Sequence, residues 1–126
     1  MDGKDLIKKV KEDNVKFISL QFTDVMGAVK SVDMPVRHLE DVLTDGAWFD
    51  GSSVEGFARI QESDMRLILD PHTYAVLPWS SAESRRARVF CDIYMPNGDP
   101  FEGDPRGTLK RQLKRIEEKG WTLNIG

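Results

Sequence analysis

Two runs of alternating apolar residues constrain this chain more than any other feature. Val15-Lys-Phe-Ile-Ser-Leu-Gln-Phe22 is apolar mostly at every second position, and Ala28-Val-Lys-Ser-Val-Asp-Met34 follows after Thr23-Asp24 and Gly27. A period of two sends alternate side chains to opposite faces of a strand, so the pair reads as a hairpin. A hairpin alone is marginal in water, so other elements must cover its apolar face. The candidates lie on either side. Leu6, Ile7 and Val10 form the apolar edge of a short helix over residues 3–13, and Val36, Leu39, Val42 and Leu43 form that of a second. Pro35 suits the first turn of the second helix, and Asp45-Gly46 stops it. Ala47-Trp-Phe49, Met65-Arg-Leu-Ile-Leu69, Tyr74-Ala-Val-Leu77 and Arg88-Val-Phe-Cys-Asp-Ile-Tyr94 read as further strands, with a polar connection from Ser80 to Arg86 that is expected to be mobile. The sum is an α+β fold with a mixed sheet and packed helices.

A break follows. Met95-Pro-Asn-Gly-Asp-Pro100 is rich in turn formers, and Asp104-Pro105 supplies an N-cap and an N1 proline. Leu109, Leu113 and Ile116 then stripe a helix with Lys110, Arg111, Lys114 and Arg115 on its other faces. Gly120 ends it, and Trp121-Thr-Leu-Asn-Ile125 is expected to begin a strand. One helix and part of a strand bury too little apolar surface to stand alone. Residues 1–103 are therefore expected to form one domain, and residues 104–126 the truncated start of another.

Composition narrows the function. Among 126 residues, 18 Lys and Arg face 21 Asp and Glu, a net charge of -3 that gives no footprint for nucleic acid. No apolar run approaches the roughly 20 residues of a membrane span, and Met1-Asp-Gly-Lys-Asp lacks a signal-peptide pattern, so a cytoplasmic location is expected. Cys91 is alone, which excludes an internal disulfide, and with two histidines makes a poor zinc set. His38 and His72 read as ordinary surface residues. Gly51 and Gly56 have the spacing of a phosphate-binding loop, but Phe57-Ala58 stands where lysine and a hydroxyl are needed.

The segment Asp50-Gly-Ser-Ser-Val-Glu-Gly56 is the most informative. It sets an acid, two glycines, two hydroxyls and a second acid between Trp48-Phe49 and Phe57, which are expected to anchor it in apolar packing. A carboxylate held at such a rim can attract a small cation and accept its proton. The residues by themselves favour the simpler reading, in which Asp50 caps its own turn. Glu62-Ser-Asp64 reads as solvated or capping, and Arg59 as a surface residue close enough to reach back over the loop.

Phe49-Asp-Gly-Ser-Ser-Val-Glu-Gly-Phe57 followed by Glu62-Ser-Asp-Met65 resembles the amino-terminal signature of type I glutamine synthetases. The similarity includes Gln21-Phe-Thr-Asp24, Cys91-Asp-Ile-Tyr94, Pro100-Phe-Glu-Gly-Asp-Pro-Arg106 and Leu109-Lys110-Arg111, and it runs over essentially the whole chain. The resemblance implies a β-grasp domain followed by the start of a catalytic domain. It implies ATP-dependent joining of glutamate and ammonia through a γ-glutamyl phosphate, with Mg2+ or Mn2+, in a homo-oligomer, a dodecamer of two hexameric rings. In the family the β-grasp domain of one subunit closes over the catalytic domain of the next.

Carried onto this sequence, the resemblance makes Asp50 the residue that binds and deprotonates ammonium, with Ser53 assisting by hydrogen bonding; Glu55 sits at a position that varies between branches. Val54-Glu-Gly-Phe-Ala-Arg59 resembles the α-type branch, where an arginine at position 59 mediates feedback inhibition by glutamine. Arg88 matches an arginine used by some archaeal relatives to bind 2-oxoglutarate, although Ser19 stands where several of them carry arginine. The family's metal, nucleotide and glutamate ligands match nothing in residues 1–126, so this chain alone is expected to be inactive and to bind no cofactor. The alternative is a stand-alone β-grasp module that binds and regulates an intact glutamine synthetase.

Overall fold

The computed structural model describes residues 1–51 and 64–124. Its elements run α1 (Gly3–Glu12), β1 (Phe17–Thr23), β2 (Val29–Pro35), α2 (Leu39–Asp45), β3 (Ala47–Asp50), β4 (Asp64–Leu69), β5 (Ala75–Val76), β6 (Arg86–Tyr94) and α3 (Pro105–Glu118). The expected hairpin forms: β1 and β2 are antiparallel, with Leu20 opposite Val32. The sheet order is β2-β1-β6-β4-β3, with β5 alongside β6. The central β1–β6 pair is parallel and the rest are antiparallel, the mixed sheet expected of a β-grasp fold.

One face of this sheet makes the core. Ile18, Leu20, Met65, Leu67, Ala87, Val89, Cys91 and Ile93 alternate inward and are almost wholly buried, under Leu6 and Val10 of α1 and Leu39 of α2. Burial pushes the Cys91 thiol up to about 12, so it serves as a core side chain and not as a nucleophile. At the start of α1, the Asp2 carboxylate accepts the Asp5 N–H at 2.9 Å while the Asp5 carboxylate accepts the Asp2 N–H at 3.2 Å, a reciprocal cap.

Several details depart from the sequence reading. Pro35 ends β2 and leads into a 3-10 turn, Val36–His38, so α2 proper starts later than the periodicity suggested. The polar connection before β6 is pinned: Ser80 Oγ donates to the Leu77 carbonyl at 2.6 Å and accepts the Arg86 N–H at 3.1 Å. The strand expected at Trp121 does not form over residues 121–124. There the Trp121 N–H returns to the Ile116 carbonyl at 3.2 Å, and no neighbouring strand among the described residues offers a ladder.

The helix expected to open a second unit is tied back to the sheet. Asp104, 2% exposed, accepts the Ile93 N–H of β6 through Oδ2 at 3.0 Å and the Arg106 N–H of α3 through Oδ1 at 3.1 Å. Arg106 then forks between Asp92 of β6 and Asp70, which follows β4, donating to Asp92 Oδ1 and Asp70 Oδ2, both at 2.7 Å. Lys110 adds a second cation to Asp92. No helix of the described residues is long and apolar enough to cross a membrane.

Candidate functional site

Asp50 is the last residue of β3 and lies directly opposite Asp64, the first residue of β4. The register is set one residue earlier, where Phe49 pairs with the fully buried Met65 and packs its ring 4.9 Å from that of Phe22. A slip of one residue would turn Phe49 and Met65 to solvent, so the core holds Asp50 and Asp64 on the outer face. Both aspartates are exposed there. Like charges in direct cross-strand register repel, and a cation that approaches the pair relieves the repulsion.

The anchoring expected of Trp48-Phe49 is only half right. Phe49 enters the core, but strand alternation puts Trp48 on the outer face, 54% exposed, with the Arg66 guanidinium 5.6 Å from its ring centroid. Ser53, Glu55, Phe57 and Arg59 lie outside the described residues.

Arg88 is described, on the outer face of β6. Its guanidinium sits 4.0 Å from the Phe90 ring centroid and donates to the Thr73 carbonyl at 3.0 Å, and its backbone pairs with Ser19 of β1. Asp50 is two strands away and level with the chain just past the far end of β6, a separation of roughly 25–30 Å. The structure therefore does not bring Arg88 and Asp50 into one site. A cleft of about 320 Å³ is elsewhere again, lined by Gln21, Phe22, Thr23, Phe90, Arg106 and Leu109 and by no residue of β3 or β4.

Among the described residues no three His, Cys, Asp or Glu side chains gather as a metal site. A resident divalent ion does not fit them, and Asp50 with Asp64 offers only two carboxylates. Sequence reasoning missed Asp64 as the partner of Asp50, and missed Arg66. The first was visible only as an acid in Glu62-Ser-Asp64, because cross-strand register is not readable from one strand.

Residues 14–96 match the family profile described as glutamine synthetase, beta-Grasp domain. The chain belongs to the glutamine synthetase family. It is 49% identical over 122 residues to the glutamine synthetase of Methanosarcina mazei and 50% identical over 123 residues to that of Staphylococcus aureus, each alignment covering 97% of this chain. The chain spans only 27% and 28% of those relatives' lengths. A solved GmaS/ADP complex, 28% identical, superposes with a TM-score of 0.81 over 90% of this chain and 26% of its own. The cryoEM structure of Plasmodium falciparum glutamine synthetase has a TM-score of 0.84 over 95% of this chain and 23% of its own; at 21% identity it speaks for the fold alone. The β-grasp architecture expected from the sequence is thus the fold of this glutamine synthetase amino-terminal region.

Proposed function

We propose that this chain acts within a glutamine synthetase, where it closes an active site shared between subunits and presents Asp50 to ammonium. The observation that carries the reading is the placement of Asp50: an exposed carboxylate, opposed by Asp64, at the end of a strand whose register the core fixes. Ammonium must lose a proton before its nitrogen has a lone pair to attack with. A carboxylate at a partly desolvated junction attracts the cation and then accepts that proton. The free ammonia displaces phosphate from γ-glutamyl phosphate. Ser53 assists by hydrogen bonding in the same loop.

ATP and Mg2+ or Mn2+ belong to the catalytic part of the enzyme; when bound there they activate the glutamate carboxylate and balance phosphate charge. Among the described residues no cluster of acids, histidines or cysteines is set to hold such an ion. Residues 1–103 form the β-grasp unit, residues 104–126 lead into the catalytic domain, and the subunits assemble as a dodecamer in the cytoplasm. Arg59 relays feedback by glutamine. Arg88 is the candidate for 2-oxoglutarate, with Ser19 beside it where several relatives have arginine.

Purifying the native product from its source cell tests this reading. A product several times 14.3 kDa that makes glutamine, while residues 1–126 alone make none, supports it. A native product of 14.3 kDa that binds an intact glutamine synthetase supports the stand-alone regulatory module instead.

A further inference from the structure

α3 is fastened to the sheet by polar bonds near its base. None of its residues is buried, and the cleft of about 320 Å³ beside Pro105 and Leu109 parts it from some of the β1–β6 face. Asp104 caps the helix and accepts the Ile93 N–H of β6, and Lys110 pairs with Asp92 of the same strand. Both of these ties run to β6. Arg106 reaches further: one arm of its guanidinium goes to Asp92, and the other to Asp70, the residue after β4.

Ties to one strand define a line, and a helix held on a line is free to rock about it. A bond to the neighbouring strand, about 4.8 Å to the side, supplies the off-axis point that fixes the angle. Among the described residues the Arg106–Asp70 pair is the only bond from α3 to the sheet that leaves β6. Asp70 is itself held: its N–H donates to the Phe90 carbonyl at 2.9 Å, and its Oδ1 accepts the His72 N–H at 3.2 Å. The side chains of Arg106 and Asp70 are only 20% and 19% exposed, so solvent screens the pair less than an ordinary surface bridge. α3 has 14 residues. At 1.5 Å per residue it is roughly 21 Å long, so a tilt of about 3° at the base moves its far end by about 1 Å. An error of about 1 Å in a reacting geometry costs on the order of a hundredfold in rate.

We propose that Arg106, acting on Asp70, is a positioning residue for the ammonium step: it sets the angle between the strands that carry Asp50 and the helix that leads into the catalytic domain. This rests on the reading that Asp50 meets ammonium in an active site that a catalytic domain completes. β4 holds Asp64 opposite Asp50 at one end and is followed by Asp70 at the other, so the tie acts on the strand pair that presents Asp50. Neither Arg106 nor Asp70 touches the reacting atoms.

Variants of the purified full-length enzyme separate positioning from plain stability. Asp70→Asn cuts the off-axis tie, while its amide oxygen still accepts the His72 N–H. Asp92→Asn weakens the contacts of both Arg106 and Lys110 but leaves Asp104 on β6. Stability ranks Asp92→Asn as the more damaging, because Asp92 meets two cations and Asp70 one. Control of the angle ranks them the other way. Asp70→Asn is expected to lower kcat/KM for ammonium by about tenfold or more with the KM for ATP within about twofold of wild type, and Asp92→Asn by less than about threefold. Arg106→Lys, whose single ammonium group cannot fork to both carboxylates, is the second variant and is expected to fall with Asp70→Asn. Thermal unfolding of the same samples reads the stability order. A loss of ammonium use that follows the stability order, or values for all three variants within about twofold of wild type, overturns the proposal. Asp50→Ala, assayed in parallel, reports on the underlying reading separately: full synthesis in that variant refutes the role of Asp50 whatever the other variants show.

Discussion

Asp104→Ala is expected to loosen the joint between β6 and α3 more than any other single truncation outside the core. The carboxylate is 2% exposed and serves two backbone donors at once, Ile93 N–H at 3.0 Å and Arg106 N–H at 3.1 Å. Loss of an N-cap acceptor costs about 1 kcal/mol. Leaving a buried strand N–H unpaired costs about 1–3 kcal/mol more. Against this, burial holds the Asp104 carboxyl above its ordinary value, so removing the charge returns part of the desolvation cost at neutral pH. The net expectation is a loss of about 2–3 kcal/mol at neutral pH. Because the folded pKa is raised, Asp104 contributes most below the ordinary carboxylate value of 3.8 and less as pH rises through the folded value. The penalty of Asp104→Ala should therefore grow on acidification. Urea unfolding at neutral and acidic pH, followed by tryptophan fluorescence, reads both quantities. A neutral-pH loss under about 0.5 kcal/mol, or a penalty that shrinks in acid, would refute the reasoning.

Three further substitutions probe the Arg106 fork, a positive-φ glycine and the core beneath β4. Burial pushes the Asp70 carboxyl up, but the bonds and charge of Arg106 outweigh this and hold it below 3.8. Its stabilisation is therefore present above that value and lost as pH falls through the lower folded pKa, and Arg106→Gln should cost about 2 kcal/mol at pH 7 and flatten the acid limb of stability. Gly46→Ala should destabilise by about 2 kcal/mol or more in thermal unfolding: Gly46 has φ +78°, and an added Cβ would meet Ile68 Cδ1 at 2.9 Å and the Leu67 carbonyl at 3.0 Å. Leu67→Ala, at a wholly buried position of β4, should cost about 2–5 kcal/mol in urea unfolding without moving the register that holds Asp50.

The fold was legible where burial is one-sided and periodic. The alternation in Val15–Phe22 and Arg88–Tyr94 fixed which faces meet the helices, and Asp104-Pro105 marked the start of α3 because capping chemistry is local. Pairing was less visible. Nothing in one strand says that β6 runs parallel to β1, or that Asp64 falls opposite Asp50. Trp48 is not the apolar anchor expected beside Phe49, because the alternation that buries Phe49 forces Trp48 outward. The strand expected at Trp121 failed for a related reason: apolar residues suit a strand, but only a partner makes one. Asp50 itself was legible as a candidate from residue types alone, and only the resemblance separated a proton acceptor from a turn cap. Ser53 and Arg59 lie outside the described residues, so their roles remain part of the proposal.

The most direct test is ammonium dependence in the full-length enzyme carrying Asp50→Ala. The account predicts that glutamine formation at limiting ammonium falls by about a hundredfold or more, as for loss of a general base, while ATP and glutamate still bind and γ-glutamyl phosphate still forms. Unchanged glutamine formation at limiting ammonium would contradict it.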